Sequence, residues 1–212
     1  MPKQKRTRRD MLVGLGAIAA AGAMGAGDVE AQGPSTSGFS PAMHAEDAWM
    51  AALPGKHRII LDVTSPERMP DAIRFVSNFF TGHKSGYGVE ESELAIIVCF
   101  RHSATPYGYG DAFWAKHGQT IDAKITPPPS GNPYNSGGRT QLTDIATRGV
   151  QFMVCGTASR GLATRIAGQG GDVEAVMKEM AASLIPSARI VPAGVIGVTH
   201  AQERGFALLY VG

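Results

Sequence analysis

The chain has 212 residues, with 20 Lys and Arg against 18 Asp and Glu, which is enough for one domain and a further segment. Five of the basic and three of the acidic residues fall in the first 31, leaving 15 of each beyond, so the body lacks the positive surplus needed to grip phosphates and nucleic-acid binding is excluded. Two cysteines without a C-x-x-C pair are too few for a disulfide scaffold or a thiolate zinc site.

The N-terminus reads KQKRTRRDML, then VGLGAIAAAGAMGAG, then DVEAQG: a charged segment, a weakly apolar one and a small-residue cleavage site. Arg8 and Arg9 follow Thr7 and precede Asp10, Met11 and Leu12, so residues 1–31 resemble a twin-arginine export signal, with Met11 where that pattern prefers phenylalanine. The Ala- and Gly-rich apolar stretch suits export better than anchoring, since a spanning helix needs about 20 strongly apolar residues. Cleavage is expected after Ala31, which implies passage through the twin-arginine translocase and a periplasmic location.

Residues 32–56 open as a Gly/Ser/Pro linker, with a short helix in HAEDAWMAAL that Pro54-Gly55 breaks, and the core domain is set to begin at His57. HRIILDV is an apolar strand, and Pro70-Asp71 opens a helix that brings Ile73, Phe75, Val76, Phe79 and Phe80 near one side. ELAIIVCF is apolar throughout, as a strand covered on both faces is. GDAFWAKHG predicts a helix. The stretch 125–140, with three consecutive prolines and a Gly pair, is a surface loop, a functional lid or a tolerated insertion. QLTDIATRG is a helix ending at Gly149, VQFMVC a third strand, and GTASRGLATRIAG and DVEAVMKEMAASL two helical segments. ARIVPAG is a fourth strand, VIGVTHAQERG a helix and FALLYV a fifth strand. This alternation predicts a three-layer α/β/α sandwich with a five-stranded, mainly parallel sheet.

In such a sheet, ligands bind beyond the carboxyl ends of the strands, where Cys155 falls. A helix starting between Gly156 and Ser159 aims its free N–H groups and positive dipole end at the sulfur, favouring thiolate. Gly156 allows close approach to the backbone, Thr157 and Ser159 offer hydroxyls to a thiolate or a terminal persulfide sulfur, and Arg160 offers positive charge. The competing reading is a buried cysteine acting as a small hydrophobe. Cys99, inside IIVCF, reads as core. Asp62 and Thr64 share the rim with Cys155, as pocket lining or caps, and Tyr107, Tyr109, Phe113 and Trp114 floor a pocket or pack the core. No His spacing suits a metal, no G-x-G-x-x-G or Walker loop appears, and no cofactor is expected.

The segments GVQFMVCGTASRG, ARIVPAGVIGVTHAQERGFALLYV and ELAIIVCFRHSATPY together resemble the DsrE/DsrF-like family of sulfur-relay proteins, in its small single-domain branch, over roughly residues 57–212. The resemblance implies a five-stranded α/β/α fold that assembles as rings or trimers, hence a homotrimer or homohexamer here. It also implies a cysteine after the third strand that carries sulfur as a persulfide, the position of Cys155, and a histidine after the second strand, the position of His102. The family's His is usually followed by Gly-Pro, whereas this chain has Ser103-Ala104 and Pro only at 106. The well-studied members are cytoplasmic, and the loop at 125–140 is expanded here. The resemblance also places the ends of the second and third strands side by side, so a Cys99–Cys155 bridge stays open, as a redox device or a staple.

The functional expectation is an exported, sulfurtransferase-like carrier that binds or transfers sulfane sulfur through Cys155, with His102 as proton partner and a sulfur donor or acceptor protein as partner. The alternative is a non-catalytic oligomeric module of the same fold that binds a small ligand or a protein.

Overall fold

The computed structural model describes residues 40–135 and 141–212. The export signal expected at 1–31, most of the following linker and the Gly-rich part of the 125–140 loop lie outside the described residues. Five strands form one sheet: β1 (His57–Val63), β2 (Leu94–Phe100), β3 (Gln151–Cys155), β4 (Ala188–Val191) and β5 (Ala207–Val211). Every pairing is parallel, in the order β4-β3-β2-β1-β5, so the expected α/β sandwich is realised with an all-parallel sheet. β2 is buried at all seven positions because it lies at the centre with helices on both sides. β5 is an edge, exposed at four of its five positions.

Side chains alternate between the two faces as the pleat requires. Leu61, Ile96, Phe100, Phe152 and Val154 point into the larger core, where they meet Val76 and Phe80 of α2 (Met69–Tyr87), Trp114 of α3 (Asp111–Ile121) and Leu162 of α5 (Gly156–Ala167). Ile60, Ile97, Cys99 and Met153 point the other way, toward Val198 and Ala201 of α7 (Gly194–Glu203). The asymmetry follows from the chain's path. β1 through β4 step in one direction along the sheet, which keeps right-handed crossovers on one face; returning from β4 to β5 beyond β1 reverses direction and throws α7 onto the opposite face.

The second face has one more cover. Pro41–Gly212 form one compact unit, and within it α1 (Ala48–Ala52) brings Met50 into the α7-side core with no exposure at all. Arg58 donates to the Met50 and Leu53 carbonyls, Arg189 stacks over the Trp49 ring at 3.8 Å, and His200 Nδ1 meets Asp47 Oδ2 at 2.6 Å. The segment before His57 is therefore part of the packed domain. Among the described residues, no helix is long and apolar enough to cross a membrane.

The expected helices over 70–80, 110–118 and 141–149 form as α2, α3 and α4 (Leu142–Thr147), and α6 (Val173–Ala182) follows α5. α2 runs seven residues past Phe80 and stops at Gly88, whose φ of 67° ends the helix with N–H bonds back to its last turn. Unforeseen is a run of 3-10 turns over His102–Gly108, after β2. It lies directly on β3: a Cβ on Gly108 would stand 2.3 Å from Val154 Cγ2, so only glycine permits that approach.

Candidate functional site

The helix after β3 leaves on the α5 side and the helix after β4 leaves on the α7 side. Neighbouring strands whose connections diverge open a crevice between them, the topological switch point of an open parallel sheet. Cys155 ends β3, Gly194 begins α7, and both line a pocket of about 330 Å³ in that crevice. Cys155 is the residue before the first turn of α5, with φ −67° and ψ 111°, and it is 8% exposed. Its sulfur side faces the start of α7, as the pairing of Cys99 with Met153 dictates for a residue two further along β3. Two helix N-termini thus converge on one thiol, and the free N–H groups of both first turns border the same cavity.

The approach of α7 depends on Gly194. A Cβ there would lie 2.8 Å from Arg101 Cβ and 3.3 Å from Cys155 Cβ, so any larger residue displaces the helix start from the site. Arg101 forms the next wall. Its Nε donates to Asp62 Oδ1 at 2.6 Å and its Nη2 to Oδ2 at 2.8 Å, a two-pronged pair in which Asp62 is buried. The carboxylate holds the guanidinium firmly protonated, and burial opposes this more weakly. His102 follows with φ 52°, in the left-handed region that histidine enters more readily than most residues, and is exposed at the mouth of the pocket.

The residues expected at the site divide. Cys155, His102 and Thr157 line the pocket, with Thr157 Oγ1 donating to the Pro192 carbonyl at 3.3 Å. Ser159 is fully buried and turned away: its hydroxyl donates its single proton to the Cys155 carbonyl at 2.8 Å and meets the Tyr109 hydroxyl, so it has no proton left to donate to a thiolate. Arg160 points outward, held by Glu174 of α6 at 2.7 Å. Gly156 admits the backbone of the β4 exit, since a Cβ there would stand 2.7 Å from the Val191 carbonyl oxygen; the space it provides is filled by the protein itself. Thr64, on the same rim, accepts the Ser103 hydroxyl on its carbonyl. Tyr109, Phe113 and Trp114 are core, and Tyr107 walls a second cavity.

Sequence reading missed Arg101 and the Ala193-Gly194-Val195 corner. Asp62 at the end of β1 was the available signal for the first, and V-P-A-G before a helix for the second.

Cys99 is on the same face but is no partner. It is fully buried, its Sγ donates to the Gly194 carbonyl at 3.8 Å, and burial, followed by the nearby Asp62 carboxylate, pushes its thiol far up from the ordinary range. Both thiols are free. Cys99 pairs with Met153, so it is offset by two residues from Cys155. That offset on adjacent strands puts the Cα atoms about 8 Å apart, beyond the roughly 7 Å a disulfide tolerates. The bridge left open by the sequence would require the backbone to move.

The described part of the 125–140 loop is anchored. Asn132 is completely buried, donating to the carbonyls of Tyr107 and Tyr109 at 2.9 and 2.8 Å, while its own backbone N–H donates to Asp111. This pins the loop to the 3-10 segment that carries His102.

Fold and site together define an α/β protein with an all-parallel five-stranded sheet and a solitary thiol at its switch point. No family model matches the chain, and no curated protein does. Among solved structures it is similar to that of MTH1491, a protein of unknown function from Methanobacterium thermoautotrophicum, at 15% identity, with a TM-score of 0.44, covering 73% of this chain and 99% of that one.

Proposed function

We propose that this is an exported DsrE-like protein that takes up sulfane sulfur on Cys155 as a persulfide and passes it on. The observation that carries the reading is the free Cys155 thiol lining the crevice where the first turns of α5 and α7 meet. The persulfide's terminal sulfur is anionic, and N–H groups at helix starts are suited to an anion. His102 lines the same pocket and supplies or removes the proton as sulfur arrives and leaves. The test is mass spectrometry after brief exposure to polysulfide or thiosulfate. An added sulfur on Cys155, absent from Cys155→Ser, is expected; no adduct under mild conditions overturns the proposal.

A binding module without covalent chemistry is favoured by one observation, the neutralisation of Arg101 by Asp62, which leaves the pocket with little net charge. It would keep its ligand in Cys155→Ala.

Self-association belongs to the same proposal. β5 presents Leu208, Leu209 and Tyr210 exposed along a free edge with no charged residue, and an unguarded edge is a template for another chain. Leu209→Lys should reduce the trimer or hexamer to monomer in sedimentation; a wild type that is already monomeric removes this part.

A further inference from the structure

A second cavity, of about 560 Å³, adjoins the thiol pocket, and His102 and Ala158 line both. The smaller pocket alone accommodates an inorganic sulfur ion. The larger falls within the about 300–1,000 Å³ typical of small-molecule sites and has no use in chemistry confined to such an ion. It extends along α5 beneath Pro106, Ile121 and Leu162, and its lining carries two charged groups, Asp122 and Arg165. Among the described residues Arg165 has no ion pair or hydrogen bond, whereas Arg160, five residues earlier on the same helix, is held by Glu174. Asp122 accepts one backbone N–H, from Lys124.

We propose that the sulfur donor is the persulfide of a small peptide-type thiol, its sulfur end at Cys155 and its carboxylate held by Arg165 in the larger cavity. The inference rests on the sulfur chemistry proposed for Cys155. Residue 165 lies ten positions beyond 155, about 15 Å along the helix axis. Helical side chains lean back toward the N-terminus, so the guanidinium closes part of that interval. Two or three residues of peptide, at roughly 3.3–3.6 Å each, span the remainder. The apolar wall covers the body of such a molecule, and Asp122 offers a site for its ammonium group.

The transfer is redox-neutral. The Cys155 thiolate attacks the outer sulfur of R–S–SH, a new S–S bond forms to Cys155, and the original S–S bond breaks. R–S⁻ leaves and is protonated, so that Cys155–SH and R–S–SH become Cys155–S–SH and R–SH. His102, shared by the two cavities, stands where the leaving sulfur emerges and is placed to protonate it.

The experiment compares glutathione persulfide with inorganic polysulfide as donors, reading the added sulfur on Cys155 by mass spectrometry against donor concentration. Half-loading should need less glutathione persulfide than polysulfide. Arg165→Ala should raise the glutathione persulfide requirement about tenfold, the size of one charge-assisted carboxylate contact, and leave the polysulfide requirement unchanged. Equal requirements for both donors, or an Arg165→Ala effect that is the same for both, overturns this inference while leaving sulfur transfer standing. Loading from neither donor overturns both. As a readout independent of transfer, S-methylglutathione added to Cys155→Ser should shift the NMR methyl signals of Ile121 and Leu162; unmoved signals overturn the placement.

Discussion

Asp62 and Arg101 close on each other through two parallel hydrogen bonds, at 2.6 and 2.8 Å, from the ends of two adjacent strands. The pair turns a cation beside the thiol into a wall. Arg101→Met leaves the buried carboxylate without its partner and should destabilise the fold by about 3 kcal/mol. Asp62→Asn, which keeps hydrogen-bonding capacity, should cost less. Urea midpoints measure both; a loss for Arg101→Met below about 0.5 kcal/mol means that water screens the pair.

The two thiols should behave oppositely. Cys155 lines an open pocket, while Cys99 is sealed between β2 and α7 with its thiol pushed far up by burial. Thiol titration should find one reactive sulfur in the native protein and two in denaturant, with no change on adding reductant, and peptide mapping should place the native label on Cys155. A native count of zero would contradict the open pocket.

Alkaline pH should unfold the protein partly through Tyr109. Burial pushes its hydroxyl up to about 12, the Ser159 contact opposing this more weakly. Between pH 10 and 12 the unfolded chain releases this proton and the native one keeps it, so stability is full below about pH 10 and declines as pH rises through the folded value. The loss amounts to about 2–3 kcal/mol from this group, and Cys99 adds to it in the same direction. Tyr109→Phe should flatten that part of the denaturant midpoint against pH. An unchanged slope would assign the alkaline loss elsewhere.

The Ser159 hydroxyl and the Arg160 guanidinium, near Cys155 in sequence, should prove irrelevant to its chemistry. Ser159→Ala should cost about 1–2 kcal/mol, because the buried Tyr109 hydroxyl loses its partner, yet leave sulfur loading intact. Arg160→Ala removes an ion pair that water already screens, so it should leave the urea midpoint nearly unmoved and loading intact. A fall in loading for either, measured by mass spectrometry, would return that side chain to the site.

Asn132 tests the loop as structure. Asn132→Ala leaves the Tyr107 and Tyr109 carbonyls without their donor and should cost about 2–3 kcal/mol. Its effect on sulfur loading should exceed that of an equally destabilising change in α2, because the loop holds the segment bearing His102.

The layer order, the five strands and most helix positions were legible in the residues, since each is a local signal. LAIIVCF is apolar throughout because both of its faces are covered, and the stretch after Cys155 is a helix because small and helix-forming residues follow a strand exit. Cys155 was found the same way, as a chemistry-bearing residue at a strand's carboxyl end, whereas His102 came only from the family resemblance. The 3-10 segment was not legible, because it is held by distant partners, the Ile185 N–H on the Gly108 carbonyl and the Asn132 amide on the Tyr107 carbonyl.

What the amino-acid order determined alone was thus a parallel sandwich with a cysteine at a strand's carboxyl end. Only the tertiary structure decided who stands beside that cysteine. Strand order put β2 and β4 on either side of β3, which brought Arg101 from one and Gly194 from the other to the sulfur, while bonds to the Cys155 carbonyl and to Glu174 hold Ser159 and Arg160 away from it. Neighbours in space across parallel strands are separated by whole crossover units in sequence, and no local pattern records which of them will meet.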